Sequence, residues 1–362
     1  MGVADTQKIK RAPVALTCGD PAGIGLDVTL EAWRQRYARA LPTFFMIGDA
    51  DALAARADML DYRVPIRRIG AAHESLAVFG DALPVLHIPS VTPVVAGTPD
   101  TANAATVIAS IEAASKAALE GCASTVVTNP IAKSVLYDVG FNYPGHTEFL
   151  HALSKEAQPE RTAPHPVMLM VATELRASPM TIHCPLSDVP RRITRASVIS
   201  HVEILANDLT RLFAIQRPRI SVAGLNPHAG EGGAIGREDQ DVIAPAIADL
   251  RDRGYTVSGP HSADTLFHEA ARSTYDAVLT MYHDQALIPV KTLAFETGVN
   301  CTLGLAFART SPDHGTAFEL AGTGKASAES LIAALKLADQ LSNTMSADDV
   351  SQRPLSHGTA AA

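Results

Sequence analysis

Three of the thirteen histidines stand where a metal ion could be held. His183 ends the run Met180-Thr181-Ile182, and His283 follows Ala277-Val278-Leu279-Thr280-Met281-Tyr282. His228 lies in Asn226-Pro227-His228-Ala229-Gly230, three residues past the apolar run 220–225. Each run reads as a strand, so each imidazole falls at or just beyond a carboxyl edge, where open α/β sheets bind ligands. Three imidazoles meeting there suit Zn²⁺ or a similar divalent ion, with positions left open for substrate. The intervals are far too long for a local H-E-x-x-H motif, so only the fold can bring these residues together. Taken singly, any histidine is more often a hydrogen-bonding core or surface residue. Asp284, beside His283, suits a carboxylate that orients an imidazole; a plain loop carboxylate fits equally well.

A second group suits an anion. Gly145-His146-Thr147-Glu148 follows Tyr143-Pro144 and opens a helical run at 149–153. A hydroxyl and free amides at a helix N-terminus favour a phosphate or carboxylate. A simple cap, with Thr147 capping and Glu148 favouring the dipole, accounts for the same residues. Further on come Lys291, Asn300 and Arg309. Two cations and an amide can hold one phosphate, though each alone reads as a solvated surface residue. The glycine loops at 19–25 and 230–236 do not match G-x-G-x-x-G, and Gly322-Thr323-Gly324-Lys325 is not a Walker A motif. A nicotinamide cofactor therefore does not follow from motifs.

These residues must be positioned by an alternation of short apolar runs and longer helical patterns. Strands are expected at 13–17, 44–47, 125–128, 167–171, 180–183, 220–225, 277–281 and 299–303. Helices are expected from the 19–25 loop through Trp33, and at 101–119, 191–213, 238–253 and 328–341. The rhythm predicts an α/β fold with a largely parallel core sheet. No repeat, heptad run or Gly/Ser linker interrupts it. With 362 residues, two lobes are expected, the chain crossing between them more than once.

Hydrophobic residues at 47% and charged residues at 19% allow a large core. Only the polar start at 1–11 and the tail at 346–362 read as flexible. A net charge of −8 without a basic block argues against nucleic acid or an anionic membrane as partner. The four cysteines, Cys18, Cys122, Cys184 and Cys301, are scattered and read as reduced thiols of a cytoplasmic protein. No signal peptide is expected, and no apolar run approaches about 18 residues.

Taken in order, several blocks resemble the 4-hydroxythreonine-4-phosphate dehydrogenase family of vitamin B6 biosynthesis. They are G-D-P-A-G-I-G at 19–25, G-H-T-E-F-L at 145–150, G-L-N-P-H-A-G-E-G-G at 224–233, A-D-T-L-F at 263–267, M-Y-H-D-Q at 281–285 and R-T-S-P-D-H-G-T-A-F at 309–318. The likeness runs from about Val14 to Leu341. It implies a divalent metal, Zn, Mg or Co, on His183, His228 and His283. It implies a phosphorylated substrate on His146, Thr147, Lys291, Asn300 and Arg309. It also implies a homodimer whose active sites are shared between subunits, and a two-lobed α/β/α fold similar to isocitrate and isopropylmalate dehydrogenases. Those enzymes bind NAD without the usual fingerprint. The lobes would comprise 1–140 with 305–345, and 141–304, with the active site in the cleft between them.

The reaction implied is NAD- or NADP-dependent oxidation of 4-phosphohydroxy-L-threonine to 2-amino-3-oxo-4-phosphooxybutanoate. That product loses CO₂ to give 3-amino-1-hydroxyacetone 1-phosphate. Asp264, Asp284 and Lys133 are the candidates for the base, and no cofactor-binding residue is assigned. Departures from the family pattern are Cys18 for a frequent proline, Leu26-Asp27 for Pro-Glu, and Asn129 where a small residue often precedes Pro130. Competing readings are a dehydrogenase of threonate or erythronate 4-phosphate, one acting on aromatic dihydrodiols, a metal-dependent hydrolase or lyase, and a metabolite-binding dimer without catalysis.

Overall fold

The computed structural model describes residues 12–344. The polar start and the tail expected from 346 onward lie outside the described residues. Within them, twelve strands form one sheet. In chain order these are β1 (Val14–Thr17), β2 (Phe44–Gly48), β3 (Ile66–Ile69), β4 (Leu83–His87), β5 (Val126–Thr128) and β6 (Val167–Val171). They continue with β7 (Arg176–Pro179), β8 (Arg219–Ala223), β9 (Thr256–His261), β10 (Ala277–Thr280), β11 (Val299–Leu303) and β12 (Arg309–Pro312).

The spatial order is β3-β4-β2-β1-β5-β12-β11-β6-β7-β10-β8-β9. Pairings from β3 to β12 are parallel, as are those from β7 to β9. The three pairings between these runs, β12–β11, β11–β6 and β6–β7, are antiparallel. The expected α/β class with a mostly parallel sheet is what the chain adopts.

The apolar runs explain the layering. In β2 every residue is buried, because helices cover both faces of a parallel sheet. Side chains alternate: Phe44 and Met46 join one core cluster, Phe45 and Ile47 another. The helix Ala104–Leu119 contributes Val107, Ile111 and Ala114 to the second cluster. The helices Gly25–Arg34, Arg195–Phe213, Ala244–Asp252 and Glu329–Thr344 pack on the first.

Three expectations need correction. The run 180–183 is not a strand; β7 lies just before it, ending where Pro179 pairs with Thr280. His183 therefore stands on a loop, beyond the sheet. The helix expected at 191–213 starts at Arg195, where Thr194 and Ser197 form a reciprocal capping box. The helix expected at 238–253 opens with a π turn, Asp239–Ile243. Four further strands were not among those expected: β3, β4, β9 and β12. Of these, β12 matters most, since Arg309-Thr310-Ser311-Pro312 is polar yet buried throughout between β5 and β11.

Candidate functional site

A cleft of about 800 Å³ opens over the antiparallel centre of the sheet. Thr128 and Asn129 at the end of β5, Met168 of β6, Pro179 of β7, Asn300 of β11 and Arg309 of β12 contribute to it. Lys133, Gly145, His146, Thr147 and Glu148 close one side, and His183 and His283 line it as well.

Arg309 is the electrostatic centre of this cleft. It is 3% exposed. Its hydrogen bonds all go to threonine hydroxyls: Nε and Nη2 donate to Thr128 Oγ1 at 3.2 and 2.6 Å, and Nη1 donates to Thr302 Oγ1 at 2.8 Å. Neutral acceptors do not balance a buried charge, and burial pulls the guanidinium down to about 10. An anionic ligand would supply the missing countercharge.

The helix His146–Ala157 begins beside it, with Gly145 as N-cap and no side-chain cap. The capping role open to Thr147 is therefore not taken up, and the first-turn amides remain available to an anion. Burial, followed by the charges of Arg309 and Lys133, holds His146 well below the usual histidine range, so its ring is neutral. Its Nε2 is sealed from solvent without a partner, as are Asn129 Oδ1, Asn300 Oδ1 and His314 Nε2. All four residues line the cleft, and buried polar atoms left unpaired mark where a polar ligand fits. Lys291 is not among the lining residues; its ammonium pairs with Asp313 at 2.9 Å, and Asp313 borders the cleft.

Two of the three predicted metal ligands meet. The rings of His183 and His283 lie 5.9 Å apart, centroid to centroid. Two imidazoles on one ion with metal–nitrogen bonds of about 2.1 Å have centroids roughly 5–6 Å apart. His283, which lines the cleft, has Nδ1 2.7 Å from Asp284 Oδ1, so Nε2 is the nitrogen left for an ion. Burial, then the positive charge of Lys133, lowers the pKa of His183, favouring the neutral, metal-binding form.

His228 is not with them. It is exposed and absent from the cleft lining. Its loop runs through His228, Ala229, Gly230, Glu231 and Gly232 with φ between 44° and 77°, a left-handed stretch costly for the three non-glycine residues. Buried Asp239 pins the loop's start by accepting from the Leu225 and Asn226 amides at 2.8 and 3.1 Å. Asp264 lies near His228: its carboxyl is held low first by Ser262 and then also by the His228 charge. Of the candidate bases, then, Lys133 lines the cleft, Asp284 is engaged with His283, and Asp264 accompanies His228.

Among the described residues, the one group of three ligand atoms mutually within 4.8 Å is Asp49, Asp51 and His87. Asp49 is the N-cap of the helix Ala50–Met59, accepting from the Asp51 and Ala52 amides, and it also accepts from the Ser90 amide. Asp51 pairs with Arg68, and His87 Nδ1 accepts from the Ala50 amide. These atoms are already used in capping and pairing, which explains their proximity without an ion.

Several cleft residues had no role in the sequence reading: Thr128, His165, His201, Asp313 and His314. Asn129, a departure from the family pattern, donates from Nδ2 to Thr17 O and to Thr29 Oγ1, at 3.0 Å each, beside its unpartnered Oδ1. Thr128 and Asn129 were signalled by polarity at the end of an apolar run; His201, inside the helix Arg195–Phe213, and Asp313 and His314, after the polar β12, carried no such signal.

Fold and cleft together define an α/β protein with a polar cleft centred on a buried guanidinium. Within that class, residues 40–338 match the family of pyridoxal phosphate biosynthetic protein PdxA, and the chain belongs to that family. The 4-hydroxythreonine-4-phosphate dehydrogenase of Methylorubrum extorquens (strain PA1) is 53% identical over 333 residues, 91% of this chain and 95% of that one. Its counterpart in Xanthobacter autotrophicus is 49% identical over 332 residues, 92% and 94% of the two chains. The crystal structure of 4-hydroxythreonine-4-phosphate dehydrogenase from Klebsiella pneumoniae superposes with a TM-score of 0.81 at 33% identity, covering 91% of this chain and 99% of that one. The family resemblance carried by the sequence blocks is thereby established. No described helix is long and apolar enough to cross a membrane.

Proposed function

We propose that the chain is the oxidoreductase that converts 4-phosphohydroxy-L-threonine to 2-amino-3-oxo-4-phosphooxybutanoate, with NAD or NADP as oxidant. The product loses CO₂ to give 3-amino-1-hydroxyacetone 1-phosphate, a step toward pyridoxal phosphate. One observation carries this reading beyond the family match. A buried guanidinium without carboxylate partners, a helix N-terminus and a histidine pair share a single cleft.

Arg309, Asn300, His146 and Thr147 hold the phosphate, and Lys291 joins them from its pairing with Asp313. The phosphate is remote from the reacting carbon, so gripping it supplies orientation there. The donor set fits a divalent ion, Zn, Mg or Co: His183 and His283 from one chain, with His283 oriented by Asp284. Such an ion, when bound, supplies Lewis acidity that lowers the pKa of a nearby hydroxyl. The C3 hydroxyl gives its proton to a base as the C3 hydride passes to oxidised NAD(P).

His228 completes the ligand set from a second copy of the chain, in a homodimer with shared sites. Its exposure and its distance from the His183–His283 cleft support this. So do the exposed Ile288 and Leu293 on the helix His283–Ala294 and Phe295 just beyond it, an apolar patch suited to burial. The two lobes, 1–140 with 305–345 and 141–304, follow the sheet order, in which β1–β5 and β12 occupy one half and β6–β11 the other. The active cleft lies between them, an arrangement similar to isocitrate and isopropylmalate dehydrogenases.

Absorbance at 340 nm tests the activity. With 4-phosphohydroxy-L-threonine, NAD⁺ or NADP⁺ and a divalent metal, the signal should grow and EDTA should abolish it. Growth only with threonate or erythronate 4-phosphate would replace the substrate, and silence with all three would reject the dehydrogenase. Mixing inactive His183→Ala and His228→Ala proteins tests the shared site. A mixed dimer regains one intact site if the ligands come from both chains, and none if they come from one.

A further inference from the structure

A second cavity, of about 490 Å³, lies at the other end of β6 and β7 from the active cleft. The cleft takes Met168 and Pro179 from these two strands, whereas the cavity takes Val171 and Arg176, which pair across them. Among the described residues the two share no lining residue, although Val299 and Asn300, neighbours on β11, line one each. We propose that this cavity is a second ligand site, for a small organic acid with an apolar body and one anionic head. The inference goes beyond the dehydrogenase reading and does not depend on it.

The walls divide by chemistry. The helix Glu329–Thr344 turns one face to the cavity, every third or fourth residue along its length. Ile332, Leu337 and Leu341 on that face, with Leu212 and Phe213 from the end of the helix Arg195–Phe213, make an apolar wall. A cavity of this volume, mostly apolar with a few polar groups, suits a small organic ligand.

The charges do not balance. In a chain of net charge −8, Arg39, Arg176 and Lys336 line the cavity, and Glu329 is the one carboxylate lining it among the described residues. Glu329 is already neutralised, since Arg39 donates to both its oxygens, at 2.5 and 2.7 Å. Arg176 has no carboxylate within ion-pair distance among the described residues. Its Nη1 donates to the backbone oxygen of Asp276 at 3.1 Å, while the Asp276 carboxylate pairs with Arg219 at 3.0 Å. Arg176 Nε is sealed from solvent without a partner. The guanidinium carbon lies 5.1 Å from the centre of the Phe213 ring, so the cation and a flat apolar surface stand side by side. Lys336 makes no ion pair or hydrogen bond among the described residues. A partly buried guanidinium and an unpaired ammonium beside an apolar wall are matched by one anionic head on an apolar body. An inorganic anion would leave the wall uncovered, and a neutral ligand would leave the cations unpaired.

Calorimetric titration of the full-length chain with phenylacetate and with phenyl phosphate tests this, benzyl alcohol serving as the neutral counterpart. Saturable binding of either anion supports the site, and the tighter of the two gives the head group, carboxylate or phosphate. Arg176→Met should weaken that binding about tenfold or more, as expected for one lost charge-assisted contact, and Lys336→Met should weaken it in the same direction. Ala333→Phe, which puts a ring into the cavity from the helix, should abolish it and leave kcat/KM in the 340 nm assay within about threefold of wild type. Arg309→Met, in the active cleft, should leave phenylacetate binding unchanged. Should Arg176→Met fail to fold, Lys336→Met and Ala333→Phe carry the same test. No saturation by either anion up to about 10 mM overturns the proposal. So does benzyl alcohol binding as tightly as phenylacetate, because the cations would then play no part. Binding that Arg309→Met abolishes and Ala333→Phe spares would belong to the active cleft and overturn it as well.

Discussion

Replacing Arg309 by methionine should damage function while sparing the fold, and the two effects have separable magnitudes. In the ligand-free chain the guanidinium is 3% exposed and held by Thr128 and Thr302 alone. Removing it orphans two hydroxyls, at about 1 kcal/mol each, and relieves a buried charge whose desolvation costs several kcal/mol. Thermal unfolding of the ligand-free variant should therefore occur at or above the wild-type temperature. With substrate the sign reverses. Two charge-assisted bonds to phosphate at about 1.5–3 kcal/mol each give roughly 3–6 kcal/mol, or about 10²–10⁴ in kcat/KM. Inorganic phosphate should raise the melting temperature of the wild type by mass action and leave that of the variant in place. The assays are initial rates at 340 nm and calorimetry with and without phosphate. A variant with kcat/KM within about threefold of wild type, still stabilised by phosphate, would show that Arg309 does not hold the phosphate.

Asp284→Asn should weaken metal affinity about 10–100-fold by loosening His283, measured by metal titration; unaltered affinity would make Asp284 an ordinary loop carboxylate. Arg56→Met leaves Asp27 buried without its ion-pair partner, and urea unfolding should show a loss of about 3–5 kcal/mol. His201 is buried against Ser178, and burial lowers its pKa to about 3. Below the unfolded value near 6.5, the unfolded chain binds a proton that the folded chain refuses. Stability should fall as pH drops from about 6.5 toward 3, by up to about 1.4 kcal/mol per pH unit. His201→Gln should flatten that slope in unfolding curves at pH 7.5 and 5, and an identical slope would show that other groups carry it.

Much of the fold was legible because local pattern and tertiary environment agree. Runs such as 44–47 are apolar at every position, and a strand covered on both faces demands that. The Ala-rich pattern at 101–119 places Val107 and Ile111 on one side, where the sheet receives them. The residue types of the site were legible for a related reason. His283 and Asn129 follow apolar runs directly, and the ends of such runs are the sheet edges that face a cleft. The ordered blocks identified the family because their spacing preserves a whole site.

Residue types and local apolar pattern were enough to show which residues are equipped for chemistry and which runs form the interior. Which of those residues meet depends on the strand order of the folded chain. Arg309 alone reads as a solvated surface residue, yet its segment is the strand between β5 and β11, so its charge is buried. His183, His228 and His283 read alike, yet the first and last converge while His228 lies beside Asp264. Lys133 and Lys291 are both cations near motif blocks, yet Asp313 holds Lys291 while Lys133 lines the cleft beside Gly145. The difference is physical. Burial periodicity is written in neighbouring residues, whereas the electrostatic role of a side chain depends on charges brought near it by strand pairings a hundred or more residues apart.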